Sequence, residues 1–271
     1  MNEQNVKLGF IGGGNMAEAL IFGILRAGLF TPGDLLVADP SPERRTLLTA
    51  KLGIKTTDNS AEVAAQSEVI LLAVKPQKIE EALAQIKPHV NNQKFIISIV
   101  AAITTRFLQQ HLPPNTRVVR VMPNTPMLVG AGASAIARGS YALDSDLEFT
   151  WKLFSSGGKA VKVEEHLIDV VTSLSGCGPA YVFYLAEAMS AAGQKMGLSA
   201  ADADLLARQT IVGAGRILEQ TTDSPAELRR KVTSPGGFTE AAIKHMQTEE
   251  FFDLIAGVMK AAADRGRDLA R

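Results

Sequence analysis

Val6-Lys7-Leu8-Gly9-Phe10-Ile11-Gly12-Gly13-Gly14-Asn15-Met16-Ala17 is the stretch from which the fold is read. Residues 6–11 have the short apolar pattern of a buried strand, and residues 16–27 have helical periodicity closed by Gly28. Between them, three glycines allow a tight turn in which backbone approaches a pyrophosphate at a helix N-terminus. Ala17 takes the third small-residue position of that fingerprint. A glycine turn alone is shared with many α/β proteins. Here the required strand and helix flank it, and Asp39 ends the next strand at roughly the 20-residue spacing expected of an acidic ribose ligand. The stretch reads as the start of a dinucleotide-binding βαβ unit.

Outward from it, the first half alternates. Residues 35–38, 69–74, 95–100 and 117–122 are apolar runs, and Ser41 followed by Pro42 opens a helix as cap and first-turn proline. Residues 133–137 and 160–163 read as two more strands around a helix near 146–154. Continuous apolar strands separated by helices fit a parallel sheet buried on both faces. The expectation is an α/β Rossmann domain, a doubly wound parallel sheet, over residues 1–164. From His166 onward no strand pattern recurs, and residues 165–271 read as an all-α domain. Residues 174–181 look like a flexible link of small residues leading to Pro179, which suits a helix start. Ser199 and Ser224 suit caps, and the Thr233-Ser234-Pro235-Gly236-Gly237 break precedes helices over 239–246 and 249–269.

Composition narrows the function. The chain has 271 residues, enough for nearly two domains at roughly 150 residues each. Lys plus Arg is 28 and Asp plus Glu is 28, a balance unsuited to a nucleic-acid binder. The uncharged run 121–137 contains Pro123 and Pro126 and does not suit a spanning helix, so no membrane is expected. Residues 1–7 are polar, with no signal-peptide apolar stretch, and Cys177 is the single cysteine; both point to the cytoplasm. Cys177 has no histidine near it and reads as a buried, inert thiol. The four histidines stand far apart, so no metal site is expected.

Which dinucleotide binds is open at this level. Asp39 suits the ribose hydroxyl of NAD, whereas Ser41, Arg44 and Arg45 suit the 2′-phosphate of NADP if Asp39 turns away. Lys75-Pro76, Ala101-Ala102 and Pro123-Asn124-Thr125-Pro126 follow the third, fourth and fifth strands, where ligands of open α/β sheets lie. Asn124, one amide on a proline-stiffened loop, is a candidate contact. In the helical half, Pro235 fixes the backbone, and Gly236 and Gly237 are free to take positive φ and turn their N–H groups to one point. With the hydroxyls of Ser234 and Thr239 and the following helix end, that loop reads as a carboxylate cradle.

Five motifs in order complete a pattern: Gly12-Gly13-Gly14-Asn15-Met16, Ala73-Val74-Lys75-Pro76, Met122-Pro123-Asn124-Thr125-Pro126, residues 174–181, and residues 232–242 around Ser-Pro-Gly-Gly-Phe-Thr-Glu-Ala. Together they resemble the pyrroline-5-carboxylate reductase family over essentially the whole chain. The resemblance implies a nicotinamide-dependent reductase of L-1-pyrroline-5-carboxylate to L-proline, the last step of proline synthesis. It also implies a preference for NADP (as NADPH) over NAD, and a helical domain that interlocks with a second subunit as a homodimer or higher oligomer. The cofactor set expected is Gly12, Gly13, Gly14, Asn15, Met16, Asp39, Ser41, Arg44, Asn59, Ala73, Val74, Lys75, Pro76, Ala101 and Asn124. The substrate set is Ser234, Gly236, Gly237, Phe238 and Thr239, and Thr172 matches a family position near the ring nitrogen. Thr172 read alone fits equally a helix threonine bonding back to its own backbone. Three positions depart from the family: Cys177 for Ser, Ala102 for Gly, and Phe238 for a small residue or Thr. The competing readings are a hydroxy-acid dehydrogenase, which needs a Lys or His acid/base that no motif singles out, and a non-catalytic NADP-binding regulator.

Overall fold

The structure is a computed structural model and describes residues 6–269. Its first part runs β1 (Val6–Ile11), α1 (Asn15–Arg26), β2 (Leu35–Ala38), α2 (Pro42–Leu52), β3 (Lys55–Thr57), α3 (Ser60–Gln66) and β4 (Ser67–Leu72). It continues through α4 (Ile79–Ile86), β5 (Phe95–Ser98), α5 (Thr105–His111), β6 (Arg117–Met122), β7 (Gly132–Arg138), α6 (Asp144–Ser155) and β8 (Gly158–Val163). One eight-stranded sheet results, in the order β3-β2-β1-β4-β5-β6-β7-β8. The doubly wound α/β architecture is therefore as the apolar runs require. Alternate residues of the strands face opposite layers. Leu8, Phe10, Leu71 and Ile97 pack in one core with residues of α1 and α6, while Ile11, Ile70 and Ile96 pack in another with α3, α4 and α5. Each such side chain contributes about 1.5–3 kcal/mol on burial.

Three details differ from the sequence reading. β3 is a short edge strand, Lys55-Thr56-Thr57, whose polar residues carry no apolar signal. β7 runs antiparallel to β6, although the other neighbours are parallel. Its connection, residues 123–131, is little more than a 3-10 turn and is too short for the crossover that a parallel partner needs. The first unit also extends past Glu164. By packing, the chain divides at Cys177, and the unit up to Cys177 also takes in the chain from Ala262 on. Ile168, on α7 (Ile168–Val171), explains this: it is buried against Ala135 and Ala137 of β7.

The second unit, Gly178–Ala261, is helical throughout: α8 (Gly178–Lys195), α9 (Ala200–Gln220), α10 (Pro225–Lys231), α11 (Phe238–Thr248) and the first part of α12 (Phe251–Leu269). Ser199 and Ser224 cap α9 and α10, accepting from Asp202 N and Glu227 N. Ala203 and Ala207 are its buried apolar residues among those described. Among the described residues no helix is long and apolar enough to cross a membrane.

Candidate active site

The strand order reverses between β1 and β4, and a cleft of about 420 Å³ opens beyond their carboxyl ends. Gly12, Gly14, Asp39, Ala73, Val74 and Lys75 line it. Gly12 sits at φ +99°, and a Cβ there would lie 2.6 Å from the Ala73 carbonyl oxygen, so no other residue fits the turn. A Cβ on Gly13 would meet Leu48 Cδ1 at 2.7 Å, whereas at Gly14 it would meet nothing within 4 Å. Gly14 is also the N-cap of α1, with no side-chain bond to fill the helix end. The open side of the turn thus presents the free N–H groups of the helix to the cleft, the arrangement that a pyrophosphate fits. Asn15 starts α1 exposed, and Met16 packs partly against the core. Pro76 begins a 3-10 turn after Lys75.

Asp39 is turned inward. Its Oδ2 accepts from Gly13 N at 2.8 Å and its Oδ1 from Ser41 N at 2.9 Å, which ties the glycine turn to the start of α2. Ser41 caps α2, accepting from Arg44 N at 3.0 Å and donating to Glu43 at 2.8 Å. Arg44 lies against the turn, its Nε donating to the Gly13 carbonyl and its Nη2 to Glu18 at 2.5 Å. Glu18, a buried carboxylate on α1, also receives Lys51 at 2.5 Å. The Lys51 and Arg44 hydrogen bonds outweigh burial and hold its pKa below the ordinary value. Sequence reading missed Glu18, because partners at 44 and 51 leave no local pattern. Arg45 donates to the carbonyls of Asp39 and Pro40 at 2.7 and 3.1 Å. Asn59 caps α3 with Oδ1, accepting from Ala61 N and Glu62 N. Ala101 is exposed in the turn after β5.

The expected flexible link is ordered helix. Thr172–Gly176 forms one π turn, closed by Cys177 N donating to the Thr172 carbonyl at 2.8 Å, and α8 follows directly. Three hydroxyls bond backwards along it: Thr172 donates to Ile168 O at 2.7 Å, Ser173 to Val170 O at 2.8 Å and Ser175 to Val171 O at 3.1 Å. Thr172 therefore bonds to its own backbone, and its oxygen keeps its lone pairs as an acceptor. Cys177 is half-buried rather than buried. Asn124 is itself buried, donating to Ser175 O at 2.9 Å and accepting from Ala133 N at 2.8 Å.

In the helical unit, Gly236 takes φ +70°, but Gly237 sits at φ −88° as the N-cap of α11. Their N–H groups do not converge. Gly236 N donates to Glu240 Oε2 at 2.6 Å, and Gly237 N donates to the Ser234 carbonyl at 3.0 Å. One amide of the loop already holds a carboxylate, that of Glu240. The first-turn amides of α11 and the hydroxyls of Ser234 and Thr239 are the further donors. Phe238 is fully exposed.

Comparison with known proteins now bears on this geometry. The pyrroline-5-carboxylate reductase of Synechocystis sp. is 37% identical over 98% of this chain and 99% of its own length. The chain belongs to the pyrroline-5-carboxylate reductase family. Residues 165–269 match the family model for pyrroline-5-carboxylate reductase dimerisation, and residues 7–102 match that for NADP oxidoreductase, coenzyme F420-dependent. The solved pyrroline-5-carboxylate reductase of Coxiella burnetii superposes with a TM-score of 0.93 at 33% identity, covering 98% of this chain and 99% of that one. The Plasmodium falciparum pyrroline carboxylate reductase, solved with NADP bound, gives 0.85 at 29% identity, covering 99% of each chain. Membership makes the departures legible. Ala102 sits at φ +61°, a left-handed conformation that glycine takes without strain and alanine does not.

Proposed function

We propose that the protein reduces L-1-pyrroline-5-carboxylate to L-proline with NADPH as hydride donor. The observation that carries the reading is the reductase likeness along 98% of the chain, on a scaffold whose glycine turn leaves Gly14 open at the head of α1. The dihydronicotinamide supplies the hydride that adds to the C=N carbon, and the nitrogen of the protonated imine receives the C=N π electrons. Gly12, Gly13, Gly14 and the first amides of α1, from Asn15 and Met16, hold the pyrophosphate. Ala73, Val74, Lys75, Pro76 and Ala101 border the cofactor from the strand ends. Asp39 braces the turn through Gly13 and Ser41, and Arg44 keeps its Nη1 edge, which has no partner among the described residues, for the 2′-phosphate. Asn59 serves the cofactor side through the start of α3 that it caps.

Thr172 accepts the N–H of the protonated imine, because its own proton is committed to Ile168 O. The substrate carboxylate falls to the loop of Ser234, Gly236, Gly237, Phe238 and Thr239. The protein acts as a homodimer built from the segment that matches the dimerisation model. NADPH oxidation with pyrroline-5-carboxylate, beside a panel of 2-oxo and 3-oxo acids, tests the reading. Turnover on the imine alone is expected; turnover on an oxo acid, or on none, rejects it.

A further inference from the structure

The Ser175 carbonyl lacks the ordinary α-helical donor. The residue four positions on, which would donate to it in an α-helix, is Pro179, which has no N–H. The missing donor comes from 51 positions earlier in the chain: Asn124 Nδ2, at 2.9 Å. The other end of the same amide accepts Ala133 N at 2.8 Å, so Asn124 is used at both ends inside the protein and is only 8% exposed. A second contact backs the first. A Cβ on Gly176 would lie 2.9 Å from Met122 Cε and 3.3 Å from Thr172 Cγ2, so the end of β6 also presses on the turn. A part-buried carbonyl left without a donor is costly, and π turns are frequent at functional sites.

We propose that Asn124 is a positioning residue for the reaction: it holds the π turn Thr172–Gly176 and so fixes the direction in which the Thr172 oxygen presents its lone pairs. The turn has two arrangements open to it. As a π turn, Cys177 N closes on Thr172 O; as an α turn, that carbonyl takes Gly176 N, and the residues after the extra one rotate by about 100° relative to those before it. The Asn124 tether selects the first. This proposal rests on the reading that Thr172 meets the imine nitrogen. It also replaces a cofactor contact for Asn124 with a tether, and the two make opposite kinetic predictions.

The experiment uses the full-length enzyme with Asn124→Ala and with Asn124→Asp, which is isosteric and keeps the acceptor for Ala133 N but has no donor for Ser175. Asn124→Asp also serves if Asn124→Ala fails to fold. Both are expected to lower kcat for pyrroline-5-carboxylate by roughly tenfold to a hundredfold, the scale of a misplaced reacting group, while the NADPH Kd stays within about twofold. Hydrogen exchange over residues 172–177 should quicken in both. Combined with Thr172→Ala, the loss should be no greater than the worse single loss. A raised NADPH Kd with kcat unchanged makes Asn124 a cofactor contact and overturns the proposal, as do multiplying losses in the double variant. Normal wild-type turnover with unchanged exchange overturns the proposal alone. Absence of wild-type turnover on the imine overturns the reading of the reaction and the proposal with it.

Discussion

Around the glycine turn, single residues carry two jobs at once. Arg44 closes the back of the turn through Gly13 O and Glu18, and its remaining edge is the one assigned to the 2′-phosphate. Arg44→Ala is expected to weaken NADPH about tenfold, for one lost charge-assisted bond of roughly 1.5–3 kcal/mol, and to leave NADH within about twofold. Fluorescence titration with both cofactors measures this; equal losses would reassign Arg44 to the fold alone. Glu18 gives a pH signature. Its pKa is lowered by Lys51 and Arg44, so its stabilising contribution is full above the ordinary value of 4.5 and is lost as pH falls through the depressed one. Glu18→Gln should therefore cost about 1–3 kcal/mol at neutral pH, less for the Lys51 part because that side chain is mostly exposed. The gap to wild type should close in urea titrations below pH 4.5.

At the scale of elements, the loop before α11 is the one proposed to hold the substrate carboxylate. The first turn of α11 has free N–H groups and a positive end, and Gly236 N already holds Glu240. The Gly236 amide and Lys244 hold Glu240 below its usual range. Thr239 adds a hydroxyl beside it and is not the cap; Gly237 is. Thr239→Ala should lower kcat/KM for pyrroline-5-carboxylate by roughly tenfold to a hundredfold, with NADPH affinity unmoved. A variant with full kcat/KM and a lower Tm would place the carboxylate elsewhere.

Over the whole molecule, the two units are built on different terms. The sheet unit has cores on both faces, whereas the helical unit buries Ala203 and Ala207 and leaves Phe183, Tyr184, Leu205 and Phe252 more than 60% exposed. An apolar surface of that extent does not suit a lone helical unit of Gly178–Ala261. Sedimentation at micromolar concentration should give a dimer or a multiple of one, and Phe252→Asp should shift the mass toward monomer with loss of activity. A monodisperse, active wild-type monomer would contradict this.

Much of this protein is local in its chain. The serine caps at 41, 199 and 224 are set by contacts within a few residues, and the glycine turn and the apolar strand runs are each written in one short stretch, so all were legible in the sequence. So was the family, since its motifs are short and ordered. What tertiary structure decided is non-local. Asp39 faces inward because Gly13 N stands 26 positions earlier in the chain, and Arg44 is held by a carboxylate on another helix. The segment read as a flexible link is helical, and Asn124, far away in sequence, donates to its Ser175 carbonyl where Pro179 has no N–H to give. The physical reason is the same each time: a polar group removed from water takes the nearest partner in space, and that partner leaves no periodicity in the sequence.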